Sequence, residues 1–188
     1  MDVKLEEYVT AEEYYALPEG THAELIDGVL YYPPYGQAAP ARKHQGLLMK
    51  LSKEIDNYIE AHNGDCRVYP APFDVQLNKE DDSVVQPDIS VICDPKKLTD
   101  QGCLGAPDWV IEIVSPGNAG YDYITKLQKY HSSGVREYWI VDPTCDIIAV
   151  YNLSTDRLLP KSYTFQDIVP AGIYDDLSID FKKITAAL

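Results

Sequence analysis

A glutamate stands inside a run that otherwise reads as a buried β-strand, Trp109-Val110-Ile111-Glu112-Ile113-Val114. β-Branched and aromatic residues favour the pleated surface of a sheet, and a carboxylate has no structural business among them. Burying it costs several kcal/mol unless a cation or hydrogen-bond donor meets it. The pattern has an upstream counterpart: Asp88 follows Pro87 and opens Ile89-Ser90-Val91-Ile92. Residues 84–130 thus read as strand, loop, strand, turn and helix, with Lys126 on the first helix after the second strand. Two carboxylates on neighbouring strand ends can share one divalent cation, because magnesium prefers a few carboxylates plus waters. Asp, then Glu on the next strand, then a nearby Lys is the set that metal-assisted phosphodiester hydrolysis requires.

The rest of the chain supplies a scaffold for such a site. Its 188 residues suit one domain, 1–188, with a sizeable core. A hydrophobic share of 45% excludes disorder, and no run approaches the ~20 apolar residues of a membrane helix. The acidic start, Met1 to Glu7, has no signal-peptide core, so a cytoplasmic protein is expected. Cys66, Cys93, Cys103 and Cys145 are scattered without a C-x-x-C pair, which predicts free thiols rather than a zinc site or a disulfide framework.

Thr10 to Leu17 has a capping-box start and is stopped by Pro18 and Gly20. Ala23 to Tyr32 reads as a hairpin about Asp27-Gly28, with Glu24 at its first strand. Pro33 to Pro40 is a loop whose tyrosine could stack on a base. The spacing of Leu47, Leu48, Leu51, Ile55, Tyr58 and Ile59 predicts a helix over about Arg42 to Ala61. Arg42, Lys43, Lys50 and Lys53 make its first half basic, as a solvated face or as a phosphate-contacting edge. His44 opens this helix, either to cap and pack or to lie near a scissile phosphate. Arg67–Tyr69 and Phe73–Leu77 read as strands, Cys93 to Pro107 as a connecting loop, and Arg136–Pro143 as a core strand partnered by Asp146–Leu153. Short strands near Tyr163–Phe165 and Leu177–Asp180 and a last helix within Asp180–Leu188 complete an α/β fold around a central mixed sheet.

Several of these pieces, in this order, resemble the Uma-two family within the PD-(D/E)XK group of restriction-endonuclease-like proteins. They are TAEEYYALPEG, AELIDGVL, His44-Gln45, APFDVQL, VVQPDI and GAPDWVIEIVSP, then the Asp122, Lys126, Tyr130 spacing and GVREYWIVDP. The resemblance implies a restriction-endonuclease-like core flanked by helices. It also implies magnesium or manganese held by Asp88, Glu112 and the Ile113 carbonyl. Glu24 assists from the N-terminal element, and Asp74 stands behind the ligands. The parent motif places its lysine two residues after the glutamate, where this chain has Val114. In the Uma-two pattern the lysine has moved to the following helix, and Lys126 occupies that place. Gly117 stands where the family has a small polar residue, and Asp122 caps the helix or orients Lys126.

Against 16 basic residues stand 30 acidic ones, a net charge of -14. Nucleic-acid binders draw affinity from neutralised phosphates, so binding here, with DNA the expected form, should be weak and salt-sensitive. The mechanism implied is a metal-activated water, with Lys126 stabilising the developing charge. Two other readings stand beside it: a catalytically silent protein-binding or regulatory module, and a hydrolase of another phosphodiester. A homodimer is a fold-level expectation.

Overall fold

The computed structural model describes residues 8–32, 41–80, 82–115, 121–155, 157–186 and 188, without the side chains at 121 and 122. The expectations for the 33–40 loop, the turn at 116–120 with Gly117, and the Asp122 side chain lie outside the described residues. From the N-terminus come α1 (Ala11–Tyr15), β1 (Glu24–Ile26), β2 (Val29–Tyr31) and α2 (Arg42–Ala61). The chain continues through β3 (Arg67–Pro70), β4 (Val75–Gln76), β5 (Val84–Val85) and β6 (Ile89–Ile92). Next are β7 (Leu98–Thr99), β8 (Gly102–Leu104) and β9 (Trp109–Ile113), then a π-helical turn, Tyr121–Lys126, leading directly into α3 (Leu127–Ser133). The last elements are β10 (Glu137–Asp142), β11 (Ile147–Asn152), β12 (Lys161–Thr164), β13 (Ile168–Pro170), β14 (Ser178–Asp180) and α4 (Phe181–Ala186).

Every residue of β9 is buried, because this strand is covered on both faces. Successive side chains alternate across a strand. Trp109, Ile111 and Ile113 accordingly join Leu47, Leu51, Ile55 and Ile59 of α2 in one apolar cluster. Val110 and Val114 join Leu127 and Tyr130 of α3, with Ile26, Val75 and Val85, in another. Glu112 has the parity of Val110 and Val114 and so faces the α3 side. The 3-4 stripe of α2 is the stripe read from the sequence, and its helix has the expected bounds. The capping box forms between Thr10 and Glu13. The Asp27-Gly28 turn also forms, with φ of 51° and 78°, as a tight hairpin turn between β1 and β2 requires.

The expected central mixed sheet is present, and a second mixed sheet and the separate β13–β14 pair stand beside it. Of the two mixed sheets, one has the order β2-β1-β5-β4-β8-β7 and the other β12-β11-β10-β9-β6-β3. The division runs through VVQPDIS, since β5 belongs to the first sheet and β6 to the second. Pro87 has no N–H to give to a ladder, so pairing stops there and the chain changes sheets between Val85 and Ile89. Two readings need correction. The Cys93–Pro107 segment is not merely a loop, because it holds a 3-10 turn at Pro95–Lys97 and the antiparallel β7–β8 pair. Phe73–Leu77 shrinks to the two residues of β4.

The cysteine expectation is overturned. Cys66 and Cys93 form a disulfide, while Cys103 and Cys145 are free. The reason is register: β3 pairs antiparallel with β6, Arg67 opposite Ile92, and one step outward sets Cys66 opposite Cys93. Spacing along the chain cannot reveal such a pairing. Titration of the unfolded, unreduced protein should therefore find two reactive thiols per chain, rising to four after reduction. Four thiols without reductant would exclude the bond. Cys66→Ser should lower the unfolding free energy by about 2–4 kcal/mol in denaturant melts run without reductant.

Candidate active site

Strands β6 and β9 are antiparallel, with Ile89 opposite Ile111 and Ser90 opposite Val110. One further step brings Asp88 opposite Glu112. The two carboxylates meet there through each other's backbone. Asp88 N–H donates to Glu112 Oε2 at 3.4 Å, and Ile113 N–H donates to Asp88 Oδ2 at 2.7 Å. Thus the engaged group of Ile113 is its amide. The carbonyl implied as a ligand belongs to this same residue, at the end of β9. His44 Nε2 lies 3.2 Å from the same Asp88 Oδ2, and the imidazole is buried. His44 stands three residues beyond the helix N-cap Ala41, and no side chain caps this helix. Of its two readings, the structure puts His44 beside Asp88.

The other half of the site hangs on Glu112 Oε1. Lys126 Nζ donates to it at 2.9 Å and Tyr130 OH at 2.7 Å. The two donors are four residues apart, which stacks their side chains on one helical face where the π-helical turn runs into α3. Burial first, and then the Glu112 charge, push the Tyr130 hydroxyl well above the ordinary tyrosine range, so it stays a donor. Lys126 also meets Glu24 Oε1 at 3.0 Å, and that oxygen accepts the Gln86 N–H at 2.8 Å. Gln86 Nε2 in turn donates to Asp74 Oδ1 at 2.7 Å, an oxygen that also receives Tyr14 OH at 3.3 Å. Asp74 therefore connects to the centre through Gln86 rather than directly.

The structure brings Asp88, Glu112, Lys126 and Glu24 into one connected set. Tyr130 and Gln86 were given no role from sequence. The four-residue spacing of Lys126 and Tyr130 was the available signal for the first, and Gln86 had none beyond adjacency to Pro87-Asp88. Val114, where the parent motif has lysine, is buried in the cluster with Leu127 and Tyr130 and leaves an ammonium little room. The basic start of α2 is partly spent on the fold. Arg42 donates to the Leu188 carbonyl, while Lys43 reaches the Pro143 carbonyl at 2.9 Å, Asp146 and the Phe165 ring. Lys50 and Lys53 remain exposed.

Among the described residues no group of three or more His, Cys, Asp or Glu side chains could hold a metal ion. An all-side-chain cage is therefore not on offer. The donor chemistry does suit magnesium, which binds through one or two carboxylates and keeps several waters. No hydrogen bond among the described residues reaches Asp88 Oδ1, and Glu112 directs its second oxygen toward Asp88.

Lys126 has only 6% of its side chain exposed and lies between two carboxylates, so removing it leaves buried negative charge uncompensated. Lys126→Met should cost about 3–5 kcal/mol in denaturant unfolding. Lys126→Met with Glu112→Gln should cost less than the sum of the single changes, because the second change removes the stranded charge. Additive costs would show that the pair does not interact.

A family model described as "Putative restriction endonuclease", Uma2, matches residues 11–181. Two relatives from Synechocystis sp. are the "Uncharacterized protein slr1290" and the "Uncharacterized protein sll1609". The first is 26% identical over 152 residues, covering 80% of this chain and 74% of its own. The second is 28% identical over 167 residues, covering 84% and 88%. The fold matches a crystal structure of a "putative nuclease belonging to DUF820" from Anabaena variabilis with a TM-score of 0.75. That match has 21% identity and covers 95% of this chain and 98% of the other. With a restriction-endonuclease-like core and a family match across most of its length, this chain belongs to the Uma2 restriction-endonuclease-like family.

Proposed function

We propose that the chain is a divalent-metal-dependent endonuclease that hydrolyses phosphodiester bonds of nucleic acid, with DNA the expected substrate. One observation carries the reading: the Asp88 carboxylate, one residue before β6, meets Glu112 and Ile113 of β9, with the Lys126 ammonium 2.9 Å from Glu112. Asp88, Glu112 and the Ile113 carbonyl would hold magnesium or manganese. When bound, the ion supplies a polarised phosphate and a water of lowered pKa.

The chain's own groups set the stage for that chemistry. Lys126 and Tyr130 both hold Glu112 Oε1, which fixes the rotation of the carboxylate. The Ile113 amide and His44 hold Asp88 Oδ2 in the same way. Lys126 brings positive charge to the point where negative charge develops on the phosphate. Glu24, on the far side of the ammonium, keeps it in place before substrate arrives. Binding should be weak, since the net charge is -14 and two of the four basic residues early in α2 contact the fold itself. Cutting both strands of a duplex needs two such centres, so a homodimer belongs to this reading.

Supercoiled plasmid incubated at low salt should be nicked in magnesium or manganese and left intact in EDTA. Asp88→Asn and Glu112→Gln should each lower the rate at least a hundredfold, and about physiological salt should suppress wild-type cleavage. Folded wild-type protein that leaves plasmid intact at every metal concentration overturns the proposal in favour of a silent binding module.

A further inference from the structure

Beside the centre lies a cavity of about 270 Å³, with Phe73, Asp74, Gln86, Asp100 and Gln101 in its lining. This is just below the ~300–1,000 Å³ of sites that take drug-sized ligands, a size suited to one ring system. Its wall is shared with the site. The Gln86 side chain holds Asp74, while the Gln86 backbone N–H holds Glu24, the partner of Lys126. Gln86 also precedes Asp88 by two residues, so their Cα atoms are at most ~7 Å apart.

The cavity joins a flat apolar surface to unspent acceptors. Phe73 is stacked on Tyr69, with ring centroids 4.3 Å and planes 9° apart, which backs the Phe73 ring with a second one. Asp74 Oδ1 is occupied by Gln86 and Tyr14, but no hydrogen bond among the described residues reaches Asp74 Oδ2, Gln86 Oε1 or the Asp100 carboxylate. A ligand that fits must be planar and must present N–H donors. Resting on the phosphodiesterase reading above, we infer that this cavity receives an unpaired nucleobase flanking the scissile phosphate and selects bases with an exocyclic amino group. Cytosine, adenine and guanine carry that donor. Thymine and uracil have no amino group, and their one donor on that edge, the ring N3–H, lies between two carbonyl oxygens that the carboxylates repel.

The test measures binding separately from cleavage. Fluorescein-labelled twelve-nucleotide homopolymers of deoxycytidine and of thymidine are titrated at low salt, with wild type in EDTA and with Glu112→Gln in magnesium. Deoxycytidine homopolymer should bind about tenfold more tightly. Phe73→Leu should weaken its binding about tenfold through lost stacking. Asp74→Asn should erase the preference, and so in part should Asp100→Asn, at an exposed position of the lining where folding is less at stake. Equal affinity for the two homopolymers, no binding of either, or a preference unchanged in both asparagine variants overturns the inference. A preference for deoxycytidine in a protein that never nicks plasmid supports the subsite and refutes the nuclease reading. Nicking with equal affinity for both homopolymers refutes the subsite alone.

Discussion

The Lys126 ammonium, held between Glu24 and Glu112, is the interaction on which the rest of the site depends. It joins the distant N-terminal hairpin to the central strand β9 and the turn into α3. All three groups are largely withdrawn from water, where an unpaired charge is far more costly than on the surface. Tyr130 adds a neutral donor to the same Glu112 oxygen. A carboxylate that looked anomalous in an apolar strand therefore has its partners in Lys126 and Tyr130, from one helical face, and in the Asp88 N–H.

Asp88 owes its position to a backbone constraint. Pro87 cannot continue a ladder, so the chain leaves one sheet after Val85 and enters the other at Ile89. The three residues in between belong to neither sheet and serve both. Gln86 turns its backbone to Glu24 and its side chain to Asp74, while Asp88 faces Glu112. Metal chemistry and base selection would then be set side by side by one missing N–H.

The acidic balance of the chain is compatible with this arrangement because each carboxylate of the site has a local partner. Glu112 and Glu24 have Lys126, and Asp88 has the Ile113 amide and His44. What the balance removes is long-range attraction for phosphate. The one basic concentration is diverted in part to the C-terminal carbonyl of Leu188, to Pro143 and to Asp146. Under the proposed function, recognition would rest on short-range contacts at the centre and its neighbouring cavity.

Periodicity and local chemistry made much of this legible. The α2 stripe, the Thr10–Glu13 capping box, the Asp27-Gly28 turn and the apolar strands around Glu112 each rest on forces acting within a few residues. Asp88, Glu112 and Lys126 stood out from the strand pattern and Glu24 from the motif resemblance, and the structure brings those four side chains together. The two-sheet division, the Cys66–Cys93 bond, the His44 contact with Asp88 and the role of Gln86 were not legible. Each depends on how strands pair and on what packs against them, and in a paired strand a single residue of slip sends every side chain to the opposite face. Sequence thus determined which residues could form strands, helices and turns, and that a carboxylate pair needed partners. Only tertiary structure decided which partners arrive, because burial and register are properties of the packed sheets rather than of any stretch of chain.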